Sequence, residues 1–167
     1  MALDTTKTTV ADPASPALPK SRWLASPDDF AAFVFAWHSC RLPAAEFTHA
    51  AHVAVAAHTL FHSPENALDH LRTGIRRFNE SVGGVNSDTA GYHETLTRLW
   101  TVLVSRALAE DSHAPATAFD AACIAVHALG HRRDLFRDYY SYDVVASREA
   151  RRVWVAPDRT GPFGAID

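Results

Sequence analysis

The chain has 167 residues, of which 47% are apolar and 21% charged, and a formal net charge of −3. That length suits one domain with a core large enough to fold without disulfides or a structural metal. No long basic run is present, which argues against nucleic acid as a partner, and no stretch approaches the roughly 18 to 20 apolar residues of a membrane span.

Residues 1–22 are rich in Thr, Ala and Pro and read as a flexible arm, followed by a helical domain over 23–158 and an extended tail over 159–167. The arm has no apolar run of the signal-peptide kind and carries Asp4 and Asp12, so a cytoplasmic protein is the expectation. Cys40 and Cys123 fall in apolar stretches and read as buried small hydrophobes rather than as a disulfide framework.

The first helix is expected to open at Ser26, an N-cap followed by Pro27, Asp28 and Asp29, with Phe30, Phe33, Val34 and Trp37 at helical spacing. Pro43 interrupts the chain. A second helix runs from Ala45 or Thr48 to His62, and Ser63-Pro64-Glu65 opens a third with the stripe Leu68, Leu71, Ile75 and Phe78, stopped by Gly83-Gly84. After a polar loop from Val85 to Gly91, a fourth helix is expected from Tyr92 to about Ala109. A fifth follows from Pro115 or Thr117 to Gly130, then shorter pieces around Leu135–Tyr140 and Ser147–Val155. Val153-Trp154-Val155 is the best strand candidate, and it is short. The expectation is an all-α, single-domain bundle of four to five main helices.

Ten histidines are present. His62, His70, His113 and His131 fall near helix ends or on polar faces and read as surface residues. A helix advances about 100° per residue, so His49 and His52 share the face of Val53, Ala56 and Leu60. His58 should point elsewhere. On the fourth helix His93 precedes Leu96, Thr97 and Trp100 at helical spacing, which puts it on the buried stripe with Glu94 beside it. Each nitrogen of a buried imidazole needs a partner. A divalent transition metal (Zn, Fe, Cu or Ni) held by His49, His52 and His93 would supply one, and three protein ligands would leave the open position of a catalytic site. Glu94 would then move a proton as general base or act as a fourth ligand, with Tyr92 or Thr97 orienting a group. Without metal, the same residues make an acid–base site of the lyase, isomerase or cyclase kind. The structural alternative has His49 and His52 bonded to core carbonyls and Glu94 capping a helix, in a protein that binds a small ligand or a partner without catalysis. Arg148, Arg151 and Arg152 with Tyr139 and Tyr140 form a second cluster, read as surface charge beside packed aromatics. No phosphate-loop or nucleophile-elbow motif occurs.

The segments L-P-x-x-E-F-T-H-A-A-H-V (Leu42 to Val53), G-V-N-S-D-T-A-G-Y-H-E-T-L-T (Gly84 to Thr97), D-Y-Y-S (Asp138 to Ser141) and A-R-R-x-W-V-x-P-D (Ala150 to Asp158) resemble an uncharacterised family of small bacterial proteins. That family carries F-T-H-x-x-H and G-Y-H-E-T-x-T motifs. The resemblance implies that Thr48, His49, His52, Tyr92, His93, Glu94, Thr95 and Thr97 belong to one site. It supplies no reaction. The leading expectation from the residues is a divalent-metal-dependent enzyme, hydrolytic or oxidative, acting on a small-molecule substrate through a buried His/His/His/Glu site, with a homodimer as a candidate assembly.

Overall fold

Each helix but one begins where a side chain accepts a hydrogen bond from its first free amides. Ser26, Thr48, Thr117 and Ser147 accept from Asp29, Ala51, Asp120 and Ala150, and Thr117 with Asp120 closes a reciprocal capping box. These caps set the starts of α1 (Pro27–His38), α2 (His49–His62), α5 (Ala118–Leu129) and α6 (Arg148–Arg152). α3 (Ala67–Ser81) follows a 3-10 turn, Pro64–Asn66, and has no side-chain cap. α4 (Glu94–Glu110) is capped by a histidine, His93. The computed structural model describes residues 21–167; of the arm expected over 1–22, residues 1–20 lie outside the described residues, and Arg22 already belongs to a 3-10 turn, Arg22–Leu24. Among the described residues there are six α-helices and no strand, so the all-α bundle expected from the sequence is what forms. None of these helices is long and apolar enough to cross a membrane.

The bundle is built around α2. Ala50, Ala51, Val53, Ala54, Val55, Ala56 and Ala57 are all buried, so this helix is apolar nearly all round and sits inside the fold. Its alanines let α5 approach closely, and α5 answers with Ala121, Ala122 and Ala125; among the described residues this is the most extensive helix pairing. α4 then packs across α2, α3 and α5. Gly74 on α3 lies against the Trp37 ring of α1, where a Cβ would collide with the indole.

The end of the chain differs from its sequence reading. The expected helix over Ser147–Val155 stops at Arg152, and Val153-Trp154-Val155 joins no sheet. Instead one side chain holds this segment to α4: the Thr95 hydroxyl donates to the Val153 carbonyl (2.8 Å) and accepts from the Val155 amide (3.0 Å). Tyr140 donates to the Val155 carbonyl at 2.8 Å. The extended tail over 159–167 is tied to the bundle. The Tyr139 hydroxyl accepts from the Phe163 amide, Arg106 bonds the carbonyls of Phe163 and Ala165, and Ile166 is buried. Cys40 and Cys123 are free and only half-buried, with Cys40 beyond the end of α1 at a positive φ of 57°.

Thr95→Val keeps the volume of this fully buried side chain and removes both bonds to the strap. It should lower stability by about 1 to 3 kcal/mol in urea denaturation, with the helical circular-dichroism signal unchanged. An unchanged unfolding midpoint would show that the strap is held by packing alone.

Candidate functional site

A cavity of about 620 Å³ opens between α2, α3, α4 and the 3-10 turn Leu135–Asp138. Val53, Leu71, Ile75, Leu96, Trp100 and Phe136 supply apolar wall, and His49, His52, His93, Tyr92, Thr97 and Arg133 supply the polar groups. The size and this mixture are those of a small-molecule site. All three expected histidines therefore reach one cavity, but they are not equivalent there.

The His52 ring stacks on Phe47 at 3.8 Å between centroids, and its Nδ1 lies 2.8 Å from the Thr48 carbonyl. A carbonyl only accepts, so Nδ1 carries the hydrogen and the lone pair of the neutral ring is on Nε2. Nε2 has no partner among the described residues. His52 is exposed, and it lies on the wall of the cavity. Desolvation in that position, opposed by the Thr48 bond and helped slightly by His49, pulls its pKa down to about 4.

His49 is held the other way round. Its Nε2 donates to the carbonyl of Leu129 at the C-terminal end of α5, at 3.0 Å, which leaves the lone pair on Nδ1. Its ring meets Trp100 edge to face at 4.6 Å. Burial lowers its pKa, with the Leu129 bond acting against that.

His93 is a correction to the sequence reading. It does not stand on the first turn of the fourth helix. Its backbone is extended (φ −137°, ψ 107°), and the helix begins one residue later. The ring caps that helix: Nδ1 accepts from the Leu96 amide at 3.3 Å and Nε2 donates to the Val144 carbonyl at 3.1 Å. Both nitrogens are satisfied by main chain, so His93 shapes the wall without offering it a free lone pair. Burial lowers its pKa as well.

Glu94 is likewise engaged. It is buried and is not part of the cavity wall. The Arg72 guanidinium grips both carboxylate oxygens, at 3.1 and 3.0 Å through Nε and by a further contact through Nη2, and the Tyr92 hydroxyl donates to Oε2 at 2.8 Å. Burial raises the Glu94 pKa, but the Arg72 and Tyr92 bonds outweigh it and the net shift is downward. The carboxylate is thus a fixed anion joining α3 to the start of α4, and not a base facing a ligand. Burial, and then the bond to Glu94, push the Tyr92 phenol above its ordinary range, while the Thr97 hydroxyl acts the other way. Thr97 does not orient His93, whose ring is fully taken by Leu96 and Val144. Among the described residues, no group of three or more His, Cys, Asp and Glu side chains is arranged to hold a metal ion.

Arg133 and Trp100 on the cavity wall escaped the sequence reading. Trp100 lies on the same helical stripe as His93 and was legible only as core; Arg133 follows a helix end and carries no local signal. A second cleft of about 530 Å³ gathers His38, His58, His62 and His70 from α1, α2 and α3. His58 does point away from the first site, as expected, and burial followed by His62 and His38 pulls its pKa down to about 4. In the arginine–tyrosine cluster of the sequence reading, Tyr139 and Tyr140 are buried. Arg151 is spent on the carbonyls of Gly91, Tyr92 and Val145, and Arg152 lies near Asp88.

A histidine whose folded pKa lies below its unfolded value near 6.5 contributes stability that is present above that value and is lost as pH falls through the folded pKa. With His52 and His58 near 4 and His38, His49 and His93 also lowered, the urea midpoint should fall steadily from pH 6.5 to pH 4. His52→Gln should fall less steeply over the same range. A midpoint independent of pH there would contradict these assignments. No family model matches this chain, and no curated protein or solved structure was found to be similar to it.

Proposed function

We propose that the cavity binds a small molecule and performs acid–base chemistry on it without a metal, with His52 as the group that accepts the proton. The observation carrying this reading is the tautomer of His52. Its Nδ1–H is committed to Thr48, so Nε2 offers a lone pair to whatever occupies the cavity. A fixed N–H to a main-chain carbonyl is the usual way of aiming an imidazole at a substrate. The same bond favours the imidazolium, offsetting part of the desolvation that keeps the ring neutral.

With its pKa pulled down to about 4, the empty-cavity His52 is neutral at physiological pH, the state a general base must start from. Abstraction of a proton and its return to the same molecule is isomerase or lyase chemistry. His49, with its lone pair on Nδ1, is the second acceptor on the same wall. Thr97 is a hydroxyl donor for orienting a substrate oxygen, and the apolar wall excludes water from the rest of the ligand. Tyr92 and Glu94 act in this scheme through position: with Arg72 they fix the start of α4.

A divalent-metal reading keeps one support, the pair of uncommitted lone pairs on His49 and His52. It finds two imidazole ligands where a catalytic zinc site normally has three protein ligands.

Incubation of the protein with a small-molecule cell extract, followed by untargeted mass spectrometry, tests both readings. The acid–base reading expects a compound consumed and an isomer or elimination product formed. It also expects the change to be lost, by about 100-fold or more, in a folded His52→Gln variant and to persist after chelation. Turnover abolished by chelation and restored by Zn, Fe, Cu or Ni would favour the metal. Turnover unchanged in His52→Gln would sink the role given to that ring.

A further inference from the structure

Taking the cavity as a small-molecule site, we infer that its ligand carries an oxyanion of the carboxylate or sulfonate kind, received by Arg133 on an otherwise uncharged wall. The wall of this cavity contains no Asp, Glu or Lys, and Arg133 is its one formally charged residue among those described. Most arginines of this chain are occupied. Arg72 holds Glu94, Arg77 a carbonyl at the end of α1, Arg98 and Arg106 carbonyls near the C-terminus, and Arg137 lies near Asp134. Arg133 makes no hydrogen bond or ion pair with the described residues, and its immediate neighbour Asp134 faces Arg137 instead.

Its position couples it to the reacting groups. Arg133 is near enough to His49 to disfavour a proton on that ring, while Asp134 beside it acts the other way; burial keeps the ring neutral, so the cavity sets a positive charge beside neutral imidazoles. Low-dielectric walls strengthen the field of a charged group set on them. An incoming anion meets a planar five-donor fork, which suits a carboxylate or sulfonate. It also cancels the charge that opposes protonation of the nearby ring. The apolar wall of Leu71, Ile75, Leu96, Trp100 and Phe136 then fits the rest of the ligand, an aliphatic or aromatic body. The recognition pattern is an apolar acid with its charged end at Arg133.

Two fluorescent probes that share an aromatic body test this: 8-anilinonaphthalene-1-sulfonate, which is anionic, and N-phenyl-1-naphthylamine, which lacks the sulfonate. Arg133 is exposed, so Arg133→Gln should leave the fold intact. The expected result is a loss of about tenfold in affinity for the sulfonate, the scale of one charged hydrogen bond, with the neutral probe changed less than twofold. Leu96→Trp, which fills the cavity, should weaken both probes. If Arg133→Gln leaves the sulfonate affinity unchanged while Leu96→Trp weakens both, the oxyanion inference is overturned and the cavity reading stands. If neither probe binds the native protein, or Leu96→Trp changes neither, the cavity reading itself fails, and the inference with it.

Discussion

Three imidazole N–H groups donate to three main-chain carbonyls, and the character of the cavity follows from those bonds. His49 is tied to Leu129, His52 to Thr48 and His93 to Val144. A carbonyl cannot donate, so each bond decides which nitrogen keeps its lone pair. Burial then keeps the rings neutral. The outcome is unequal. His93 spends its remaining nitrogen on the first turn of α4, while His49 and His52 keep theirs for the cavity. What the sequence presents as three similar ligands becomes one helix cap and two acceptors.

The bundle supplies those carbonyls at the right places. The alanine faces of α2 and α5 allow the close approach that brings the end of α5 within reach of His49. The Thr48 carbonyl belongs to the residue that also caps α2, so the bond that sets the His52 tautomer is local to one helix start. The start of α4 is fixed twice, by the His93 ring and by the Arg72–Glu94–Tyr92 cluster. Because His93 and Glu94 are adjacent, the cluster that fixes Glu94 also holds the His93 cap in place. Breaking it would orphan a buried carboxylate or a guanidinium, which is costlier than losing a neutral bond.

The helices and the faces that bury them were readable from the chain, because caps and 3.6-residue spacing are local. Ser26, Thr117 and Ser147 mark their helix starts correctly, and the shared stripe of His49, His52 and Val53 does face the interior. What failed is what depends on contacts distant in sequence. The arginine partner of Glu94 is 22 residues away, and the Leu129 partner of the His49 ring is 80 residues away. Neither separation leaves a trace in a local pattern. His93 was misplaced by one position for a related reason: histidine is not among the usual capping residues, so its periodicity with Leu96 and Trp100 read as helix interior. Nothing in the composition of the extended tail announces that Tyr139 and Arg106 hold it down.

The central claim is that His52 is a neutral ring with its hydrogen on Nδ1 and its lone pair free. Two-dimensional NMR of the ¹⁵N-labelled imidazoles, followed through a pH titration, reads this directly. The account predicts an Nδ1–H pattern for His52, the opposite Nε2–H pattern for His49, and a His52 ring still neutral at pH 5. A His52 ring in the Nε2–H form, or one that titrates near 6.5, would contradict it.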